Sequence, residues 1–135
     1  VIADDSWAVG YARVSSRASE ASLASQREVI IAEAQRRGWA VHEVVEEVTA
    51  RPDIDRLLAS RPPRLIISTL DRLGRDLREL EHILERLRPW DGVLVSADGL
   101  DTGTPAGKMM VSVLVATAAY ERELIARRAL RNGGG

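Results

Sequence analysis

The chain has no cysteine and a single lysine, Lys108, among its 135 residues. The first absence removes disulfides, thiolate metal sites and cysteine nucleophiles together. It also makes an intracellular, cytoplasmic compartment the expectation. The second leaves 18 of the 19 cationic side chains as arginine. An arginine therefore counts toward a site only where it stands at a strand end or among apolar residues. No apolar run is long enough to cross a bilayer, and no charged, apolar, small-residue pattern opens the chain, so no membrane partner is expected. The net charge of −1 lacks the excess that marks a strongly basic nucleic-acid-binding domain. His42 and His82 lie in unrelated segments without partners at metal-ligand spacing. Both are expected at the surface, and neither a metal nor a cofactor is expected. What is present, 45% apolar and 29% charged residues, is the composition of a globular domain with one core.

Strand and helix signals alternate four times. After a frayed leader, Val1–Ser6, Trp7–Val14 reads as a first strand. Helical spacing then runs from Leu23 through Arg27 (by its stem), Ile30, Ile31 and Ala34 to Gly38, a residue type suited to the position after a helix end. Trp39–Val48 is rich in valine and reads as a second strand. Pro52 suits the first turn of a short helix with Ile54, Leu57 and Leu58 inside, stopped by Arg61-Pro62-Pro63. Arg64–Leu70 reads as a third strand whose consecutive Leu65, Ile66 and Ile67 imply burial on both faces. Leu77, Leu80, Ile83, Leu84 and Leu87 form the face of another helix that Pro89 ends, and Gly92–Ala97 reads as a fourth strand. A loop, Asp98–Gly107, precedes one long helix from Lys108 to about Arg131, roughly 35 Å at 1.5 Å per residue. Residues 132–135 trail off. This order predicts an α/β domain with a mostly parallel central sheet.

The stretch Val9–Ser16 ends a buried strand in two hydroxyls, with Arg13 two residues before Ser15. Strand alternation puts both on one face, and a guanidinium beside a hydroxyl suits a site where serine meets a phosphate. In parallel sheets, function lies at the carboxyl ends of the strands. If strands one and three are adjacent, Asp71, Arg72 and Arg75 join Arg13 and Ser15. The long helix is apolar nearly all round from Met109 to Tyr120, more than one packed face requires. It turns charged at Glu121-Arg122-Glu123, followed by Arg127, Arg128 and Arg131. Self-association through its apolar part, with the basic end against a polyanion, is expected in preference to a helix wholly covered by its own domain.

Three motifs, Tyr11-Ala-Arg13-Val-Ser15-Ser16, Leu70-Asp71-Arg72-Leu73-Gly74-Arg75-Asp76 and Asp101-Thr102-Gly-Thr104-Pro105-Ala-Gly107-Lys108, together resemble the catalytic domain of the serine recombinases, the resolvase/invertase family. Glu121-Arg122-Glu123-Leu124-Ile125 closes the pattern. The resemblance covers about Ala8 to Arg128. It implies a resolvase-like three-layer domain over residues 1–131, with a dimerisation helix from about 105 to 131. It further implies that Ser15 attacks a DNA phosphodiester, forming a 5′-phosphoserine link and releasing a 3′-hydroxyl, before strand exchange within a homotetramer built from homodimers. By the same resemblance Arg13, Arg51, Arg72 and Arg75 are active-site arginines, and Asp71, Gln26 and Tyr11 are supporting residues. Arg122, Arg127 and Arg128 are expected at DNA, and Met109, Met110, Val113, Leu114 and Thr117 at the dimer interface.

The residues support this reading independently. Phosphoryl transfer is catalysed mainly by positioning and by neutralising charge on the phosphoryl oxygens, and each well-placed donor contributes on the order of 3 kcal/mol. Several arginines could take the part of a metal ion, and no compact carboxylate cluster is expected. No histidine is placed as a base for a Ser-His-Asp hydrolase, so the serine proton goes to water, to Asp71 or to a neutral guanidine group. Glu46 stands where the family commonly has aspartate. Val48-Thr49-Ala50 leaves almost no room for the family's Ser-Gly-rich loop before Arg51. No DNA-reading domain is expected within these residues, an outline similar to the catalytic piece of a large serine integrase. A flavodoxin-like phosphate binder on the same fold would want a glycine-rich first turn, which Val14-Ser15-Ser16-Arg17 lacks. An inactive dimerisation domain would not need Ser15, Arg13, Arg72 and Arg75 intact.

Overall fold

In the computed structural model, the described residues are 6–14, 20–48, 52–70 and 77–133. Four strands, β1 (Trp7–Val14), β2 (Ala40–Val48), β3 (Arg64–Ile67) and β4 (Val93–Ser96), form one sheet in the order β2-β1-β3-β4. Every strand pairing is parallel. Strands one and three are therefore adjacent and central, as the shared-site expectation requires. Four helices accompany the sheet: α1 (Glu20–Arg37), α2 (Pro52–Ala59), α3 (Leu77–Leu87) and α4 (Pro105–Gly133). The mixed α/β class, the parallel sheet and the long last helix agree with the sequence reading.

The two faces of the sheet carry separate cores. On one face Ala8, Ala12, Val14 and Ile66 pack against Leu23, Ile30 and Ala34 of α1. A Cβ added at Gly10 would stand 2.6 Å from Ile30 Cγ2, so glycine there lets α1 approach β1 closely. On the other face Val9, Tyr11, Val45, Leu65, Ile67 and Leu94 pack against Ile54, Leu57 and Leu58 of α2 and Leu80, Ile83 and Leu87 of α3. Gly38 ends α1 at φ +77°, as its position predicted.

Some boundaries differ from the sequence reading. The third strand stops at Ile67, three residues early, because its partner β4 pairs with it only over Arg64–Ile67. The fourth strand is Val93–Ser96, trimmed by one residue at each end. α1 begins at Glu20, before Leu23. Arg27 does not belong to its buried stripe; it is exposed and pairs with Glu46 at 3.1 Å. Gln26 is the buried neighbour. Both histidines are exposed, His42 stacked on Trp7 and His82 beside Asp55.

α4 starts at Pro105, three residues before the expected Lys108, and the motif Asp101–Lys108 explains why. Thr104 caps it: the Gly107 N–H donates to Thr104 Oγ1 at 3.0 Å, and Pro105 fills the first helical position. The Asp101 carboxylate accepts from the Gly103 N–H at 2.8 Å and from Arg37 of α1 at 2.8 Å. Burial raises the proton affinity of the Glu33 carboxyl, but Arg36 and Arg37 together override it, and Glu33 is held below its ordinary range. The Glu33–Arg37–Asp101 chain thus ties the end of α1 to the start of α4.

A Cβ on Gly107 would lie 1.7 Å from the Asp101 carbonyl oxygen, a backbone atom that cannot swing aside. Gly107→Ala should therefore cost about 3 kcal/mol and lower the melting temperature by about 10 °C. Thermal unfolding followed by circular dichroism measures this, and an unchanged midpoint would show that the start of α4 is looser than this contact requires.

Candidate active site

At the carboxyl end of β1 the strand outruns its neighbour. β1 pairs with β3 only at Val9 and Gly10. The peptide groups of Arg13 turn instead to a side chain. Arg13 N–H donates to Gln26 Oε1 at 3.1 Å, and Gln26 Nε2 donates to the Arg13 carbonyl at 2.9 Å. Ser22 Oγ also accepts from Gln26 Nε2, at 3.3 Å. A carboxamide carries both a donor and an acceptor, so it completes the strand's hydrogen bonding as another strand would.

The side chain of Arg13 leaves on the face that carries Val9 and Tyr11. There its Nη1 lies 2.6 Å from Glu79 Oε2, on the first turn of α3. The Tyr11 hydroxyl donates a short hydrogen bond to Glu47 Oε2. Glu47 is the β2 residue in register with Arg13. Tyr11 is 2% exposed, Glu47 4% and Glu79 4%, whereas the Arg13 side chain is 16% exposed. Arg13 is thus the member of this group that reaches the surface.

Burial, the hydrogen bond to Glu47 and the charges of Glu47 and Glu79 push the Tyr11 phenol far above its ordinary value, against a smaller opposing pull from Arg13. Tyr11 stays protonated and inside, so it acts as a strut rather than a nucleophile.

The structure brings Tyr11, Arg13 and Gln26 together at the carboxyl end of β1. Ser15, Arg51, Asp71, Arg72 and Arg75 lie outside the described residues. Glu47 is the buried glutamate beside Tyr11, whereas Glu46, whose role the sequence left open, points outward to Arg27. Glu47 and Glu79 are both buried beside Arg13 and Tyr11. Among the described residues, however, no three acidic or histidine side chains converge in a group that could hold a metal ion. Both glutamates carried a signal in the sequence. Glu47 shares the inward alternation of Val45, and Glu79 falls four residues before Ile83 on the buried stripe of α3.

α3 runs back from this end of the sheet, and α4 returns antiparallel beside it until Arg122 meets Glu81 at 3.3 Å. The basic part of α4 therefore begins near the same end as Arg13. Arg127 pairs with Glu123 at 2.7 Å, and Arg128 is exposed. Of the α4 side, only Gly107 and Ala118 are fully buried. Met109 is 70% exposed and Val113 59%, with Met110 and Thr117 also exposed. Leu114 differs, packing partly against the core beside Leu84. A helix wholly covered by its own domain is thus overturned. A cavity of about 690 Å³ between α3 and α4, lined by Leu84, Val111 and Val115, lies apart from Arg13.

Residues 8–132 match the family described as Resolvase, N terminal domain. The chain belongs to that family. Its relatives include a DNA-invertase of Enterobacteria phage P7, 35% identical over 127 residues, covering 89% of this chain and 64% of that protein. The serine recombinase gin of Escherichia phage Mu is 30% identical over 131 residues, covering 90% and 63%. This chain therefore spans a little under two thirds of the length of these relatives. Among solved structures, a resolvase family site-specific recombinase from Streptococcus pneumoniae superposes with a TM-score of 0.80 at 22% identity, covering 93% of each chain. The N-terminal catalytic domain of TP901-1 integrase gives 0.73 at 24% identity, covering 87% of this chain and 97% of that one. These two show the resolvase-type fold.

The raised proton affinity of Tyr11 makes a linkage prediction. Because the folded phenol holds its proton more tightly than the unfolded one, whose value is about 10, its contribution is complete below about pH 10 and is lost as pH rises above that. Urea unfolding at alkaline pH should show Tyr11→Phe losing stability less steeply than the parent, by the slope of a single proton. Parallel slopes would place Tyr11 in water rather than against Glu47.

Proposed function

We propose that this chain is the catalytic domain of a site-specific DNA recombinase in which Ser15 is the nucleophile. The observation that carries the reading is the anchoring of Arg13, fixed through its backbone by Gln26 and through its guanidinium by Glu79. This cation reaches the surface two residues before Ser15, at the strand end where its family's motif stands. Ser15 Oγ attacks the phosphorus of a DNA phosphodiester. The phosphorus–O3′ bond breaks, the 3′ oxygen leaves as a hydroxyl, and the 5′ phosphate remains on serine. The serine proton passes to water, Asp71 or a neutral guanidine, and the leaving 3′ oxygen takes a proton from water or from that newly protonated group. Reversal with a different 3′-hydroxyl joins exchanged strands. Arg13, with Arg51, Arg72 and Arg75, neutralises the phosphoryl oxygens, so the reaction is metal-independent and needs no cofactor.

The partners follow from α4. Its exposed Met109, Met110, Val113 and Thr117, with the edge of Leu114, form a homodimer contact, and dimers pair into a synaptic homotetramer. Arg122, Arg127 and Arg128 lie along DNA, while sequence recognition belongs to a part of the recombinase outside these residues. The protein acts in the cytoplasm, and among the described residues no helix is long and apolar enough to cross a membrane.

In the full-length protein, Ser15→Ala should abolish covalent protein–DNA adducts on denaturing gels while leaving DNA binding intact. Adducts that persist would overturn the assignment. Val113→Glu places a charge in the exposed apolar face and should shift the sedimentation coefficient toward monomer; an unchanged value would remove α4 from the interface.

A further inference from the structure

We infer that Glu79 is a positioning residue for the cleavage step, acting through Arg13. The inference rests on the roles proposed above for Ser15 and Arg13. A guanidinium on a long, rotatable stem helps a transition state only if it already points at the developing charge. Gln26 fixes the peptide of Arg13 from α1, on one side of the sheet, but it does not touch the guanidinium. Glu79 reaches that group from α3, on the opposite side, at 2.6 Å. Together they hold the arginine at its peptide and at its guanidinium.

Packing alone does not account for a carboxylate in this place. Glu79 occupies a position of the α3 stripe otherwise filled by Leu80, Ile83 and Leu87, and is itself 4% exposed. A buried ion pair is seldom worth more to folding than an apolar side chain of similar size. A leucine would serve the core at least as well. What a leucine cannot do is hold a cation at a fixed angle. Glu79 sits too deep to meet DNA, so it touches no reacting atom. Its negative charge also lies within reach of Tyr11, whose phenol is already committed to Glu47. The cluster therefore keeps Arg13 as its one outward-facing cation among the described residues.

The test compares Glu79→Gln, Glu79→Asp and Ser15→Ala in the full-length recombinase on a nicked DNA substrate that traps the covalent adduct. Glu79→Gln keeps the shape and loses the charge. Its cleavage rate at saturating DNA should fall about 10- to 100-fold, the usual cost of misplacing a catalytic group by about 1 Å. The DNA concentration at half-saturation should stay within about twofold of the parent, with the aspartate variant intermediate in rate. In an Arg13→Lys background the glutamine change should have little further effect, because its route is already cut. An unchanged or faster rate would overturn the inference, the faster one by showing Glu79 to compete with phosphate. So would a lowered melting temperature with a normal rate per folded molecule. If Ser15→Ala still forms adducts, the functional reading itself fails. If Ser15→Ala is dead and Glu79→Gln is normal, only the role of Glu79 falls.

Discussion

The bracket that Gln26 places around the peptide of Arg13 is the contact on which the site geometry depends. A strand that runs past its neighbour leaves backbone donors and acceptors without a ladder, and a buried orphan of that kind is costly. Here one carboxamide from α1 satisfies both groups at once. The end of β1 therefore stays extended with β2 on one edge and no β3 partner on the other. A strand in that place would block access to the site. The glutamine closes the ladder at the cost of one side chain.

Charge is arranged around this bracket in depth. Two carboxylates are buried, one phenol is locked between burial and Glu47, and a single guanidinium emerges among the described side chains. Buried charges without partners would be untenable. Their presence here is intelligible because each meets an opposite charge or a hydroxyl. The order also explains why a chain of net charge −1 can present a cation to a phosphate. What matters is the sign of the group at the surface, while the compensating negative charge lies behind it.

Much of the architecture was legible because it is periodic. Consecutive Leu65-Ile66-Ile67 announced a strand covered on both faces, and the leucine stripe of α3 announced its buried side. Gly38 marked a helix end and showed the expected positive φ. Boundaries were less legible, since β3 ends where β4 ceases to pair and not where its own apolar residues end. The supporting carboxylates escaped for a different reason. Arg13 and Glu79 are 66 positions apart, and nothing local connects them. Glu46 and Glu47 are chemically identical neighbours, separated only by which face of β2 each takes. Alternation from Val45 resolves them, once that valine is known to point inward.

α4 links the two ends of the domain. It begins beneath the sheet, where Thr104 caps it and the Asp101 carbonyl leaves no room for a side chain on Gly107. It passes Glu81 on the second turn of α3, and about 16 Å of helix remain between Arg122 and Gly133. That last part is exposed on nearly every side. An isolated helix of this length would be marginal in water; here the preceding turns of α4 supply the nucleus from which it extends. Its two kinds of exposed residue, apolar near the start and arginine-rich near the end, would be satisfied by two different surfaces.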